Sequence, residues 1–183
     1  MKDRDHYRLE EFPESRIATM DIGAVGREKH HIRALVELDV TKARQLIAER
    51  KRAGEALSFN SWLIKCIGTA VEEFRDLHGI RKGKRHVVLF DDIDISVMIE
   101  REIQGTKVPL PCVIRKVNEK SIAEINEEIR RAKLQSVDDE GNFVLGEKKD
   151  PKWMKLYYGM PGFLRRLVWK KILQNPFLTK RNM

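Results

Sequence analysis

The sequence predicts an α/β fold, a two-layer arrangement with helices on one face of a mixed sheet. Three observations predict it. Apolar and polar residues alternate over His31–Val40 and Ile93–Glu100, the period of half-buried strands, and Val108–Arg115 reads as a further strand. Apolar stripes at helical spacing run through Lys42–Arg52, Asn60–Phe74 and the segment after Ser121. The order strand, helix, helix, strand, strand, strand, helix is that of a helix layer laid on one sheet.

Taken in order, residues 1–14 are polar and read as an arm. Ser15–Arg27 carries a mixed strand signal interrupted by Gly23 and Gly26. In His31–Val40, Ile32, Ala34, Val36, Leu38 and Val40 share one face and Arg33, Glu37 and Asp39 the other. Thr41 is expected to cap a helix over Lys42–Arg52, with Ala43, Leu46 and Ile47 inward and Gly54 ending it. Ser58 is expected to cap Asn60–Phe74, whose inward stripe is Leu63, Ile64, Ile67, Ala70, Val71 and Phe74. A basic turn precedes strands at Val87–Phe90 and Ile93–Glu100, and the hydrophilic link Glu100–Lys107 leads to Val108–Arg115. Ser121-x-x-Glu124 forms a capping box opening a third helix, with Ile122, Ile125 and Ile129 toward the core. Gln135–Pro151 reads as a loop or short hairpin. Pro161 then opens a basic amphipathic helix, with Phe163, Leu164, Leu167, Val168, Ile172 and Leu173 on one face and Arg165, Arg166, Lys170 and Lys171 largely on the other. The division is therefore an arm (1–14), an α/β domain (15–134), and a loop with a basic helical segment (135–183).

The chain has 183 residues, 42% hydrophobic and 35% charged, with a net charge of +8, which suits one soluble globular domain and excludes a disordered chain. No run of eighteen apolar residues occurs and the N-terminus has no apolar core, so neither a spanning helix nor a signal peptide is expected, and cytoplasm is the expected compartment. Cys66 and Cys112 lie in apolar runs without zinc-ligand spacing and read as buried free thiols. His30 and His31 point to opposite faces of a strand and cannot share an ion unaided; no metal site is expected. Asp91, Asp92 and Asp94 lack the glycine and distal glutamate of a calcium loop and read as turn and strand-capping carboxylates. No phosphate-cradling glycine loop occurs, and the basic run Arg81–Arg85 reads as a solvated turn. Trp62 falls on a helix and the other aromatics lack strand spacing, so a nucleic-acid stacking platform is not expected. The apolar face of the C-terminal helix is expected to pack on the domain while its Arg and Lys stay in water. The alternative is docking on an anionic membrane surface or a partner protein through Arg165, Arg166, Lys170 and Lys171.

Four pieces in order carry a resemblance: Glu37–Val40 leading into a helix, Leu57–Lys65, Asp92–Val97, and Pro111–Arg115 followed by Lys120–Ile125. Over about a hundred residues, His31–Lys133, they resemble the catalytic domain of 2-oxoacid dehydrogenase acyltransferase components, which has the chloramphenicol acetyltransferase type of fold. The resemblance implies a homotrimer with active sites between subunits, and transfer of an acyl group between coenzyme A and a thiol, hydroxyl or amine acceptor. It implies a histidine base in an H-x-x-x-D-G motif and a nearby oxyanion donor. It also places His31 and Ser96 along the substrate channel. His6, His30, His31, His78 and His86 are the histidines present, none stands in that motif, and no Asp-Gly dipeptide occurs. No catalytic residue is therefore assigned. The C-terminal strands of the family fold and its N-terminal lipoyl and partner-binding modules are missing here, so the expectation is a fragment, a split gene product or a non-catalytic relative. A scaffold or docking protein is the alternative to an enzyme.

Overall fold

The computed structural model describes residues 14–103, 106–134 and 156–182. Six α-helices are named along it: α1 (Glu14–Gly26), α2 (Thr41–Arg52), α3 (Phe59–Glu73), α4 (Ile122–Leu134), α5 (Gly162–Gln174) and α6 (Pro176–Asn182). Strands β1 (Ile80–Lys82) and β2 (His86–Val88) form one antiparallel hairpin, and β3 (Ile95–Ile103) and β4 (Thr106–Ile114) form another. Helices and small antiparallel sheets together make an α/β protein.

The core lies where α3 and α4 meet one face of the β3–β4 hairpin. Ile99 faces Leu110, Val97 faces Cys112 and Ile95 faces Ile114 in register, and these inward side chains meet Ile64, Val117, Ile125, Ile129 and Ala132. Ile114, Val117 and Ile125 are wholly buried. Pro109 and Pro111 offer no N–H, which restricts β4 to an edge position. Gly83, at φ 65°, turns the β1–β2 hairpin in a backbone conformation that glycine takes without strain.

Local signals explain the helix starts. Ser58 accepts the Ser61 N–H at 3.1 Å while Ser61 Oγ accepts the Ser58 N–H at 3.1 Å, closing a capping box at α3. At α4 the expected box forms: Glu124 accepts the Ser121 N–H at 2.7 Å and Ser121 Oγ accepts the Glu124 N–H at 3.3 Å. Arg101 on β3 donates to the carbonyls of Ala132 (2.7 Å) and Lys133, satisfying acceptors that the last turn of α4 leaves open. At α2 the cap differs from expectation. Thr41 is the first helical residue, and its N–H is taken by Asp39 at 2.9 Å.

Several expectations are corrected. The segment expected as a strand at Ser15–Arg27 is instead helix up to Gly26; Asp21 and Val25 on it are buried, and Asp21 bonds Tyr157 and Arg165 across the chain. His31–Val40 forms no strand and makes no ladder, and residues 31–39 are all exposed. Its alternation has nothing to pack on: Ile32 is 90% exposed and Val36 77%. Without that partner β3 and β4 stay two-stranded, so one mixed sheet is replaced by two antiparallel pairs among the described residues. The link Glu100–Lys107 lies largely within β3 and β4. Helix α2 buries none of its residues fully: of the expected inward face, Ala43 and Ile47 are partly covered and Leu46 is exposed.

The stripe of α3 is rotated from the one its large residues suggest. Ser61, Ile64 and Gly68 are buried, whereas Leu63, Ile67 and Phe74 are exposed, and so is Cys66; only Cys112 is a buried thiol. The reason is a close approach to the turn after β4. A Cβ on Gly68 would stand 2.6 Å from Val117 Cγ1, and Lys65 Nζ donates to the Asn118 carbonyl at 2.8 Å. Only small residues admit that approach. The loop expected at Gln135–Pro151 lies outside the described residues.

On α4, Glu127 accepts from Arg130 Nε at 2.8 Å and Arg131 Nε at 3.0 Å. These hydrogen bonds hold its carboxyl at about 2, below its ordinary 4.5. A carboxylate depressed in the folded state stabilises it above the unfolded pKa, and the contribution disappears as pH falls through the folded one. Acid titration followed by circular dichroism is therefore expected to show stability falling between pH 4.5 and about 2. Glu127→Gln is expected to flatten the curve in that window, and an unchanged curve counts against the pairing.

Candidate functional site

The β3–β4 hairpin ends at a polar cluster built from three segments. The Asp91–Asp94 loop enters β3, Arg115–Asn118 leaves β4, and α6 lies across both. Asp94 accepts the Lys116 N–H at 2.9 Å and pairs with Arg115 Nη1 at 3.0 Å. Lys116 takes a positive φ of 52°, which turns the chain back toward Ile93. Asn118 Oδ1 in turn accepts the Ile93 N–H at 3.1 Å. The acidic run thus works as the expected turn and strand cap.

Helix α6 is fastened to this base. Lys180 Nζ lies 3.2 Å from Asp92 Oδ2 and 4.6 Å above the Phe90 ring, while Arg115 donates to the Lys180 carbonyl at 2.7 Å. Phe177 meets Phe90 edge to face at 5.9 Å. The hydrogen bond from Lys180 holds the Asp92 carboxyl below the usual carboxylate range, and Lys116 is raised, chiefly by its hydrogen bond to Glu119.

Between these parts opens a cleft of about 450 Å³ lined by Phe90, Asp92, Asp94, Arg115, Lys116, Phe177, Lys180 and Arg181. Four cations face two carboxylates over two aromatic rings. Its chemistry is that of holding an anion beside an apolar surface. Its described lining carries no Ser, Cys or His. Nearby, His78 Nε2 lies 2.9 Å from the Phe90 carbonyl and donates to it, leaving Nδ1 buried and, among the described residues, without a partner. No local sequence pattern signals that Asp92 and Lys180, 88 residues apart, form one site.

The channel residues expected from sequence are not brought together. His31 is exposed beyond α1, its Nε2 2.9 Å from the Gly26 carbonyl. Ser96 is exposed on β3 opposite Val113. Of the four expected docking cations, two form ion pairs with other parts of the chain, one buried and one on the surface. Arg165 Nε pairs with Asp21 Oδ2 at 2.7 Å, with both side chains largely buried. Tyr157 donates to the same carboxylate oxygen at 3.0 Å and accepts from Trp169 Nε1 at 2.8 Å. Burial pushes the Tyr157 phenol above its usual range, and the Asp21 hydrogen bond raises Arg165. Lys170 pairs with Glu28 on the surface at 2.8 Å. Arg166 and Lys171 are exposed.

A solved structure of a truncated catalytic core of the 2-oxoacid dehydrogenase multienzyme complex from Thermoplasma acidophilum is similar in fold, with a TM-score of 0.57 at 18% identity. The match covers 78% of this chain and 66% of that one, so this chain spans just under two thirds of its solved neighbour. No curated protein matches. The model of the 2-oxoacid dehydrogenases acyltransferase (catalytic domain) family matches residues 17–139, which include the β3–β4 hairpin, the capped α4 and the whole core cluster. That span is well over half of the chain, and the chain belongs to this family.

Proposed function

We propose that this chain is the scaffold and ligand-binding part of a coenzyme A-dependent acyltransferase with a chloramphenicol acetyltransferase-like, two-layer fold. It takes part in moving an acyl group between coenzyme A and a thiol, hydroxyl or amine acceptor, and it assembles as a homotrimer. The observation that carries the reading is the family match over residues 17–139. The excess of cations over carboxylates in the cleft suits the phosphates of coenzyme A, with Phe90 and Phe177 offering an apolar wall. No general base is assigned, because none of the five histidines stands in the H-x-x-x-D-G motif. No metal is invoked.

Calorimetric titration with coenzyme A is expected to give saturable binding, competed by acetyl-coenzyme A, without acyl transfer to small thiol or alcohol acceptors. Arg181→Glu, at the exposed rim of the cleft, is expected to weaken binding severalfold by placing a carboxylate against phosphate. The reading fails if coenzyme A binds neither to this chain nor to a version extended by a family member's H-x-x-x-D-G segment.

A further inference from the structure

Helix α5 packs with its large apolar residues facing outward. Phe163, Leu164 and Leu167 are 60%, 39% and 54% exposed, while Arg165, Val168, Trp169 and Ile172 are partly buried. At about 3.6 residues per turn, Phe163, Leu167 and Lys171 fall along one outward line, Leu164 beside it, with Arg166 and Lys170 along its margin. The inward side is fixed by the Asp21–Arg165 pair and the Trp169–Tyr157 hydrogen bond. The orientation is therefore imposed by specific polar contacts. Arg166 and Lys171 make no ion pair among the described residues; Arg166 reaches the Gly162 carbonyl at 3.3 Å.

The charge of the chain is distributed in a way that bears on this face. All 28 Asp and Glu and 28 of the 36 Lys and Arg precede Pro151, so the first 150 residues are balanced. The remaining eight Lys and Arg lie in residues 151–183, which contain no Asp or Glu, and they account for the whole net charge of +8. An apolar strip edged by cations, on the one segment devoid of acids, is complementary to a surface that is apolar in depth and anionic outside. A helix of 13 residues spans about 20 Å, too short for the hydrocarbon core, and no helix among the described residues is long and apolar enough to cross a membrane.

We propose that the outward face of α5 docks on the surface of an anionic phospholipid bilayer. Phe163, Leu164 and Leu167 enter the headgroup boundary while Arg166 and Lys171 lie against lipid phosphates. The inference does not depend on the acyltransfer reading.

Flotation of the 183-residue chain with vesicles tests it. The chain is expected to float with phosphatidylcholine vesicles containing phosphatidylglycerol, to stay behind with phosphatidylcholine alone, and to be released by salt. Phe163→Ser with Leu167→Ser, and separately Arg166→Glu with Lys171→Glu, are each expected to lower the partition coefficient at least about tenfold. These side chains are exposed, and an unchanged thermal midpoint verifies folding. Lys42→Glu with Lys51→Glu on α2 makes the same charge change elsewhere and is expected to leave partition within about twofold. No flotation, equal flotation on neutral vesicles, or an equal loss from the α2 variant overturns the proposal. So does soluble poly-glutamate binding as tight as vesicle binding, which makes the face a protein-docking surface.

Discussion

Ile125→Ala is expected to lower the free energy of unfolding by about 2–5 kcal/mol, the range for truncating a large aliphatic side chain in a packed core. Ile125 is wholly buried among Ile64, Ile99, Ile114, Val117 and Ile129, so the atoms removed leave a hole bounded by α3, the hairpin and the turn at Val117. That turn is pinned by Lys65 and by the close approach of Gly68 and has little freedom to collapse. A domain of this size is stable by about 5–15 kcal/mol, so the loss is a large part of the whole. Leu46→Ala on α2 is the matched control. Leu46 is 59% exposed, and its truncation is expected to cost under about 0.5 kcal/mol. Urea denaturation of both variants checks the pair, and equal losses put the core in the wrong place.

The elements that were legible in the sequence are those whose determinants are local. The Ser121–Glu124 box lies within four residues and forms as read. The alternation of Ile95, Val97 and Ile99 needs only its own hairpin partner and is realised against Leu110, Cys112 and Ile114. Where the determinant is distant the reading fails. The alternation of His31–Val40 is real, but a strand exists only by its partner, and here Ile32 and Val36 face solvent. On α3 the largest side chains misdirect, because the packing face is the one that carries Gly68, where the helix meets Val117. The cleft was illegible for a related reason. Its walls come from Asp92, Arg115 and Lys180, and only the fold brings them to one place.

Asp21→Asn is expected to destabilise the packing of α1 on α5 by about 3–5 kcal/mol, the cost of leaving a largely buried charge without its partner. Asp21 joins Arg165 and Tyr157 across 144 and 136 residues of sequence, and the side chains of the ion pair are only 10% and 15% exposed. Asparagine retains an acceptor but leaves Arg165 without a counter-charge, held by the Met160 carbonyl at 2.6 Å and the Tyr157 ring at 5.8 Å. Adding Arg165→Met removes the stranded charge, and the double variant is expected to recover at least half of the loss. Trp169 lies one hydrogen bond away, so with Trp62 and Trp153 replaced by Phe its fluorescence reports this end of the molecule, while far-ultraviolet circular dichroism follows the helices as a whole. A fluorescence transition that moves to lower urea while the core transition holds shows that α1 and α5 separate as a unit. Two coincident transitions at the wild-type midpoint show that the pair contributes nothing. Because the same pair keeps the apolar strip of α5 outward, Asp21→Asn also frees that helix to roll inward, and the exposure of Phe163 and Leu167 is expected to fall with it.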